Sequence, residues 1–147
     1  PTVKKQSAEQ MKFQTESKTL LLPKTFNVIT MTLPNLYAGK MHAVLCRKWA
    51  SRVKGRDWYD FEWYVKRNTP LNLIHLQERM LESGDLDKNI NLDEKLFKEF
   101  MYKRIDELDI NGAIKEVGPF IKDKSGFEFW SKEYFKLLTD SIVFDKN

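Results

Sequence analysis

The hydrophobic positions of the chain change period once, near residue 35. Residues 1–10 are polar and carry no period. Residues 11–22 alternate weakly, with Phe13 and then Leu20, Leu21 and Leu22, and Pro23 ends the run. Residues 26–33, FNVITMTL, alternate more clearly. Both runs fit strands by period and by β-branched content, and their spacing predicts a hairpin across Pro23, Lys24 and Thr25. Two strands alone are marginal. The hairpin is therefore expected to be the edge of a sheet whose other strands lie elsewhere, with an unpaired edge through which two copies could associate.

From Leu36 onward the period is helical. Residues 36–65 read as two helices joined by a basic turn. The first is expected from about Asn35 to Val53, with Pro34 at its entry and Leu36, Val44 and Leu45 on its apolar side. Gly55 breaks the run, and Asp57 restarts it as an N-cap. A third helix is expected from a Thr69 cap, with Pro70 in its first position, to about Ser83, with Leu73, Leu76, Met80 and Leu81 inward. Gly84 closes it, and a polar loop follows to Ile90. Asn91 or Asp93 caps the next helix, which carries Leu96, Phe100 and Ile105 and ends near Leu108. A short helix over 109–117 is stopped by Gly118 and Pro119. After a charged loop over 120–126, a last helix begins at Phe127 or Ser131 and runs to Phe144, presenting Trp130, Tyr134, Leu137, Leu138 and Ile142. The pattern predicts an α+β, mostly α chain. Residues 1–34 would form the β portion and residues 35–147 a bundle-like helical domain.

Composition adds a core to this picture. Of 147 residues, 41% are hydrophobic, and ten Phe, five Tyr and four Trp supply most of the packing area. The net charge of +4 suits an acidic partner without demanding one. The single Cys46 excludes an internal disulfide framework and reads as a core or boundary thiol, which fits a reducing cytoplasm. No run is long and apolar enough to span a membrane, and no signal peptide is visible. The chain starts at proline, so it is expected to be a piece of a longer protein.

The chemistry concentrates around the basic turn. Lys40 and Arg47 are two helical turns apart and project from nearly one side, while Asp57 and Asp60 are one turn apart. Lys40, Arg47, Lys54, Arg56, Asp57 and Asp60 are therefore candidates to gather around one pocket. One reading is a phosphate site, in which Gly55 lets backbone come close and an acid orients a lysine, binds a metal or takes a proton. The other is a helix corner held by Arg–Asp pairs. Trp58, Tyr59, Phe61, Trp63 and Tyr64 suit base stacking or, more simply, helix packing. Lys98, Lys103 and Arg104 with Glu99, Asp106 and Glu107 read as a mixed solvated face. His42 and His75 lie 33 positions apart, and no zinc site is expected. No Walker or Rossmann glycine loop and no serine nucleophile motif appears.

Leu36, Ala38, Gly39, Lys40, His42, Ala43, Leu45 and Arg47, followed by KGRDWYDF over 54–61, resemble the nucleotidyltransferase toxins of the AbiEii/AbiGii abortive-infection family. Pro119, Phe120, Ile121, Trp130 and Ser131 resemble that family's C-terminal helical part. The resemblance implies a nucleotidyltransferase fold related to DNA polymerase β, in a phage-defence toxin of the type IV toxin–antitoxin kind. It implies NTP and Mg²⁺ for the complete enzyme, RNA or a tRNA acceptor end as nucleotide acceptor, and a cognate antitoxin. Lys40 matches the motif lysine expected near the triphosphate. Asp57 matches the essential acid of R-D-x-x-D, and Arg47, Arg56 and Asp60 match accompanying positions. The glycine-serine element and D-x-D of the family are missing. Asp85-Leu86-Asp87 has the letters but follows Gly84 in a predicted loop. The chain is therefore expected to be the C-terminal part of an enzyme and inactive alone. The alternative is a non-catalytic helical module that binds a partner protein.

Overall fold

The structure, a computed structural model, describes residues 33–48 and 53–145. Among the described residues, six α-helices are closed by one pair of two-residue strands, so the protein is α+β and mostly α. The strands expected over 11–22 and 26–33 lie outside the described residues, apart from Leu33, which opens the first helix.

Helix α1, Leu33–Cys46, buries Tyr37, Ala38, Met41 and Val44, a stripe at three- and four-residue spacing. Leu36 and Leu45, expected inward, flank that stripe and are half-buried. The helix stops at Cys46, short of the expected end near Val53. Helix α2, Gly55–Lys66, starts at Gly55 itself. A Cβ there would lie 1.9 Å from the carbonyl oxygen of Ala113, in helix α5, Ile110–Val117. Gly55 thus admits the backbone of a neighbouring helix. Asp57 is not the cap of α2. Lys54 holds that position and makes no side-chain capping bond, and Asp57 is buried in the first turn.

The helix expected from Thr69 is instead a strand followed by a later helix. Asn68 leaves α2 at φ 54°, a left-handed conformation that asparagine tolerates. Strand β1, Pro70–Leu71, then pairs in parallel with β2, Val143–Phe144, in the register Pro70 to Val143 and Leu71 to Phe144. The Asp145 amide extends the pairing by donating to the Leu71 carbonyl at 2.8 Å. Asn72 caps α3, Leu73–Glu82, accepting from the His75 amide at 3.0 Å. Gly84, at φ 81°, turns the chain away from it. Asp93 caps α4, Glu94–Asp106, and Asp109 caps α5. Helix α5 ends at Val117, where the stop was expected, a 3₁₀ turn over Gly118–Phe120 follows it, and a second such turn spans Ser125–Phe129. Ser131 caps α6, Lys132–Asp140, which ends early enough to release residues 143–144 as strand. Leu137, expected inward, is 63% exposed.

The core is aromatic where α2 meets α6. Trp58 and Trp130 each stand edge-on to Phe135, with centroids 5.2 and 5.0 Å away. Phe97, Met101 and Ile105 line the buried face of α4, which packs on α6. Between α1 and α2, Tyr37 stacks on Tyr64 at 4.5 Å, and the fully buried Tyr37 hydroxyl has no hydrogen-bond partner among the described residues. Most aromatics serve packing, as their number predicts. Trp63 differs: it is 37% exposed, with the Arg67 guanidinium 4.1 Å over its ring.

Candidate functional site

Helices α1 and α2 pack together, and their facing sides carry charge at the level of the first turns of α2. Lys40 Nζ lies 3.0 Å from Asp57 Oδ1 and 3.0 Å from Asp60 Oδ2. Arg47 Nε donates to Asp57 Oδ2 at 2.7 Å, and its Nη2 reaches Asp57 Oδ1 at 3.5 Å. The one-turn spacing on α2 and the position of Arg47, seven residues after Lys40 and still held by a hydrogen bond from its amide to the Ala43 carbonyl just past the end of α1, are what let four side chains meet. Exposure rises outward from the acid: the Asp57 side chain is 6% exposed, Lys40 23%, Asp60 36% and Arg47 43%. Burial alone would push the Lys40 ammonium down, but Asp60 and Asp57 outweigh it and hold its pKa above the ordinary value. Lys40 is therefore a firmly charged group presented at the rim of a buried carboxylate.

The sequence places six residues at this pocket, and the structure gathers four of them. Arg56 turns to the α5 side: its amide donates to Glu116 Oε1 at 3.1 Å, and its guanidinium lies 4.7 Å over the Phe120 ring. Lys54 stays half-buried at the N-cap position of α2. Neighbours in a helix point about 100° apart, so Arg56 and Asp57 cannot face one partner together.

Two residues outside the predicted set matter here: Arg104, expected on a solvated face, and Glu62, which no motif marks. Arg104, on α4, donates from Nε to the Val44 carbonyl at 2.8 Å and from Nη2 to the Arg47 carbonyl. Carbonyls at a helix C-terminus have no partner within the helix, and a cation there satisfies them. Arg104 thus anchors the backbone that carries Arg47. Its partners lie 57 and 60 residues away, and no local pattern marks them. Glu62 is the second residue. It is 7% exposed and accepts from Trp130 Nε1 at 3.3 Å, from the Tyr134 hydroxyl, and from Lys66 at 3.3 Å. Burial first, and then Glu62, push the Tyr134 phenol well above its ordinary range. Beside it a groove of about 520 Å³ runs between α2 and residues 120–127, lined by Tyr59, Lys66, Ile121, Lys122 and Phe127.

The carboxylates of the cluster do not fit a Mg²⁺ centre. Mg²⁺ demands oxygens in near-ideal octahedral geometry, whereas Asp57 and Asp60 each hold the same ammonium at 3.0 Å. Asp85 and Asp87 of the D-x-D letters sit exposed in the loop after α3, away from any strand among the described residues.

A buried acid that seats a lysine and an arginine at the surface of a helix pair makes a preorganised anion-receiving arrangement. The family follows from the sequence as a whole: the model described as nucleotidyl transferase AbiEii toxin, Type IV TA system, matches residues 2–135, and the chain belongs to that family. No curated protein and no solved structure matches the chain. Among the described residues, no helix is long and apolar enough to cross a membrane.

Proposed function

We propose that Lys40 and Arg47 receive the triphosphate of an NTP during nucleotide transfer, with Asp57 as the buried group that orients both. The observation that carries this reading is the exposure gradient from Asp57 out to Lys40 and Arg47. A phosphate competes with the outer acid, Asp60, for Lys40, while Asp57 stays seated beneath. Charges held in place before the substrate arrives cost no reorganisation when it binds. The acceptor on this reading is RNA, such as a tRNA end, and the toxin–antitoxin family supports reading a cognate antitoxin as partner and the cytoplasm as the place of action. Magnesium would be held by acids other than Asp57 and Asp60, so this chain alone transfers no nucleotide. Lys54, at the N-cap position of α2, is proposed as a further substrate contact, Asp60 as the acid that the phosphate displaces from Lys40, and Arg56, which faces Glu116 and Phe120, as lying outside the set.

Titration of Mg²⁺–NTP into the chain tests the reading. Lys40→Ala should weaken binding by about tenfold or more, the order of one charge-assisted contact. Equal binding by wild type and Lys40→Ala, with matching melting curves, would reject it.

A second reading has one observation in its favour. Phe120 and Phe129 are 66% and 67% exposed, and Phe120 also lines the groove beside α2. Exposed aromatics beside a groove suit a protein partner. A helical interaction module of this kind would keep partner binding in Lys40→Ala and lose it in Phe120→Ser.

A further inference from the structure

The last two turns of α1 carry a second group of side chains on another face. His42 and Cys46 are one turn apart on α1, and Asp85 comes to them from the loop after α3. One ligand atom from each, the imidazole nitrogen, the thiol sulfur and a carboxylate oxygen, all lie within 4.8 Å of one another. His42 Nε2 is 3.8 Å from Asp85 Oδ2. The Ser83 hydroxyl bridges them, 2.9 Å from His42 Nε2 and donating to Asp85 Oδ2 at 2.5 Å. Two residues one turn apart on a helix, with a third from a loop, give the three-ligand arrangement of a cation site that keeps one position for water.

We propose that His42, Cys46 and Asp85 bind one divalent cation of the zinc class. Ligand chemistry selects the ion: a thiolate and an imidazole with one carboxylate favour zinc over magnesium or calcium. Charge balances as well, because Cys46 and Asp85 supply two negative charges to a dication. The nearby arginines have acceptors of their own, His75 Nε2 at 2.8 Å for Arg79 and the Val44 carbonyl for Arg104. Without a cation Cys46 is a poor nucleophile, since burial and then Asp85 push its thiol up to about 12. Binding releases that proton, forms the sulfur–metal bond and fastens the end of α1 to the loop after α3. The site is separate from the Lys40 cluster, on a different side of the same helix. The sequence alone shows only His42 and Cys46 one turn apart, and no local pattern brings Asp85 to them from the loop after α3.

The test is a Co²⁺ titration of the reduced chain without oxygen, followed by displacement with Zn²⁺. Cys46 is the only cysteine, so a thiolate-to-cobalt charge-transfer band reports that residue alone. One equivalent should develop the band together with the visible bands of tetrahedral cobalt, and Zn²⁺ should bleach both. His42→Gln and Asp85→Asn should each weaken binding by about tenfold or more. Ser83→Ala keeps all three ligands and should retain the band, and circular dichroism confirms that each variant is folded. Absence of the band at one equivalent overturns the proposal. So does an affinity unchanged in either His42→Gln or Asp85→Asn, which would leave a lone thiol with an adventitious metal. Zn²⁺ should also raise the melting temperature of wild type and not of Cys46→Ser.

Discussion

Helix α2 carries two buried carboxylates five residues apart, and they are satisfied in opposite ways. Asp57 is held by two cations, Lys40 on α1 and Arg47 just past its end, whose outer faces reach solvent. Glu62 is held by the indole of Trp130 and the phenol of Tyr134, with Lys66 at its edge. Neutral donors locked in a core make a structural joint, because they have nowhere else to go. Cations with one side free can bind something more. Burial of an acid therefore says little about its use, and the kind of donor around it says a great deal.

The sharpest way to break this comparison is in the complete enzyme. Asp57→Asn and Lys40→Ala should each lower nucleotide transfer by about 10²–10³, the cost of losing one preorganised charge, while the melting temperature changes little. Serine at position 57 should not rescue activity, since Asp57 caps no helix amide. Near wild-type transfer by Asp57→Ser, measured as initial rates, would move Asp57 into the same class as Glu62.

Glu62→Ala should do the reverse. It strands the buried Trp130 indole and the half-buried Tyr134 hydroxyl and should cost about 2 kcal/mol of stability in denaturant unfolding. The folded fraction should transfer nucleotide at the normal rate. A rate loss at full folding would place Glu62, and the groove beside it, in the substrate path.

The third prediction uses pH. Burial pushes the Tyr37 and Tyr64 phenols well above their ordinary 10.0, and the two aspartates hold Lys40 above its ordinary 10.5 against burial. Above pH 10 the unfolded chain loses these protons while the folded chain keeps them. Stability present below that pH should therefore decline as pH rises through it. Urea midpoints measured from pH 8 to 11 should be flat at first and then fall. Lys40→Met should have a shallower fall, and an unchanged slope would mean that the cluster does not hold the lysine proton.

The smallest effect belongs to Tyr37→Phe. The change removes a buried hydroxyl that has no partner among the described residues, so stability should rise by up to about 1 kcal/mol. A loss larger than that would mean the hydroxyl serves a group outside the described residues.

The sequence was most informative where spacing alone decides geometry. Lys40 with Arg47, and Asp57 with Asp60, are set by helical repeat, and Asp93, Asp109 and Ser131 mark helix starts through their capping chemistry. It failed where a distant partner overrides a local signal. Thr69-Pro70 looks like a helix start, but residues 143–144 claim Pro70 and Leu71 as strand. Gly55 looks like a phosphate-binding glycine, but the Ala113 carbonyl occupies its open side. Arg104 looks solvated until the free carbonyls of α1 are placed beside it.

The parallel pairing of β1 with β2 has a consequence for how the protein is made. Pro70 and Val143 meet across four helices, so strand β1 has no partner strand until residues 143–144 have been synthesised. Contacts of such long sequence separation form late, because a large loop must close before they contribute. A nascent chain leaving the ribosome can therefore form α1 and α2, charged cluster included, while its closing strand is still in the exit tunnel. Emergence of residues 143–145 from the tunnel, more than any local signal, is the step that completes the helical unit.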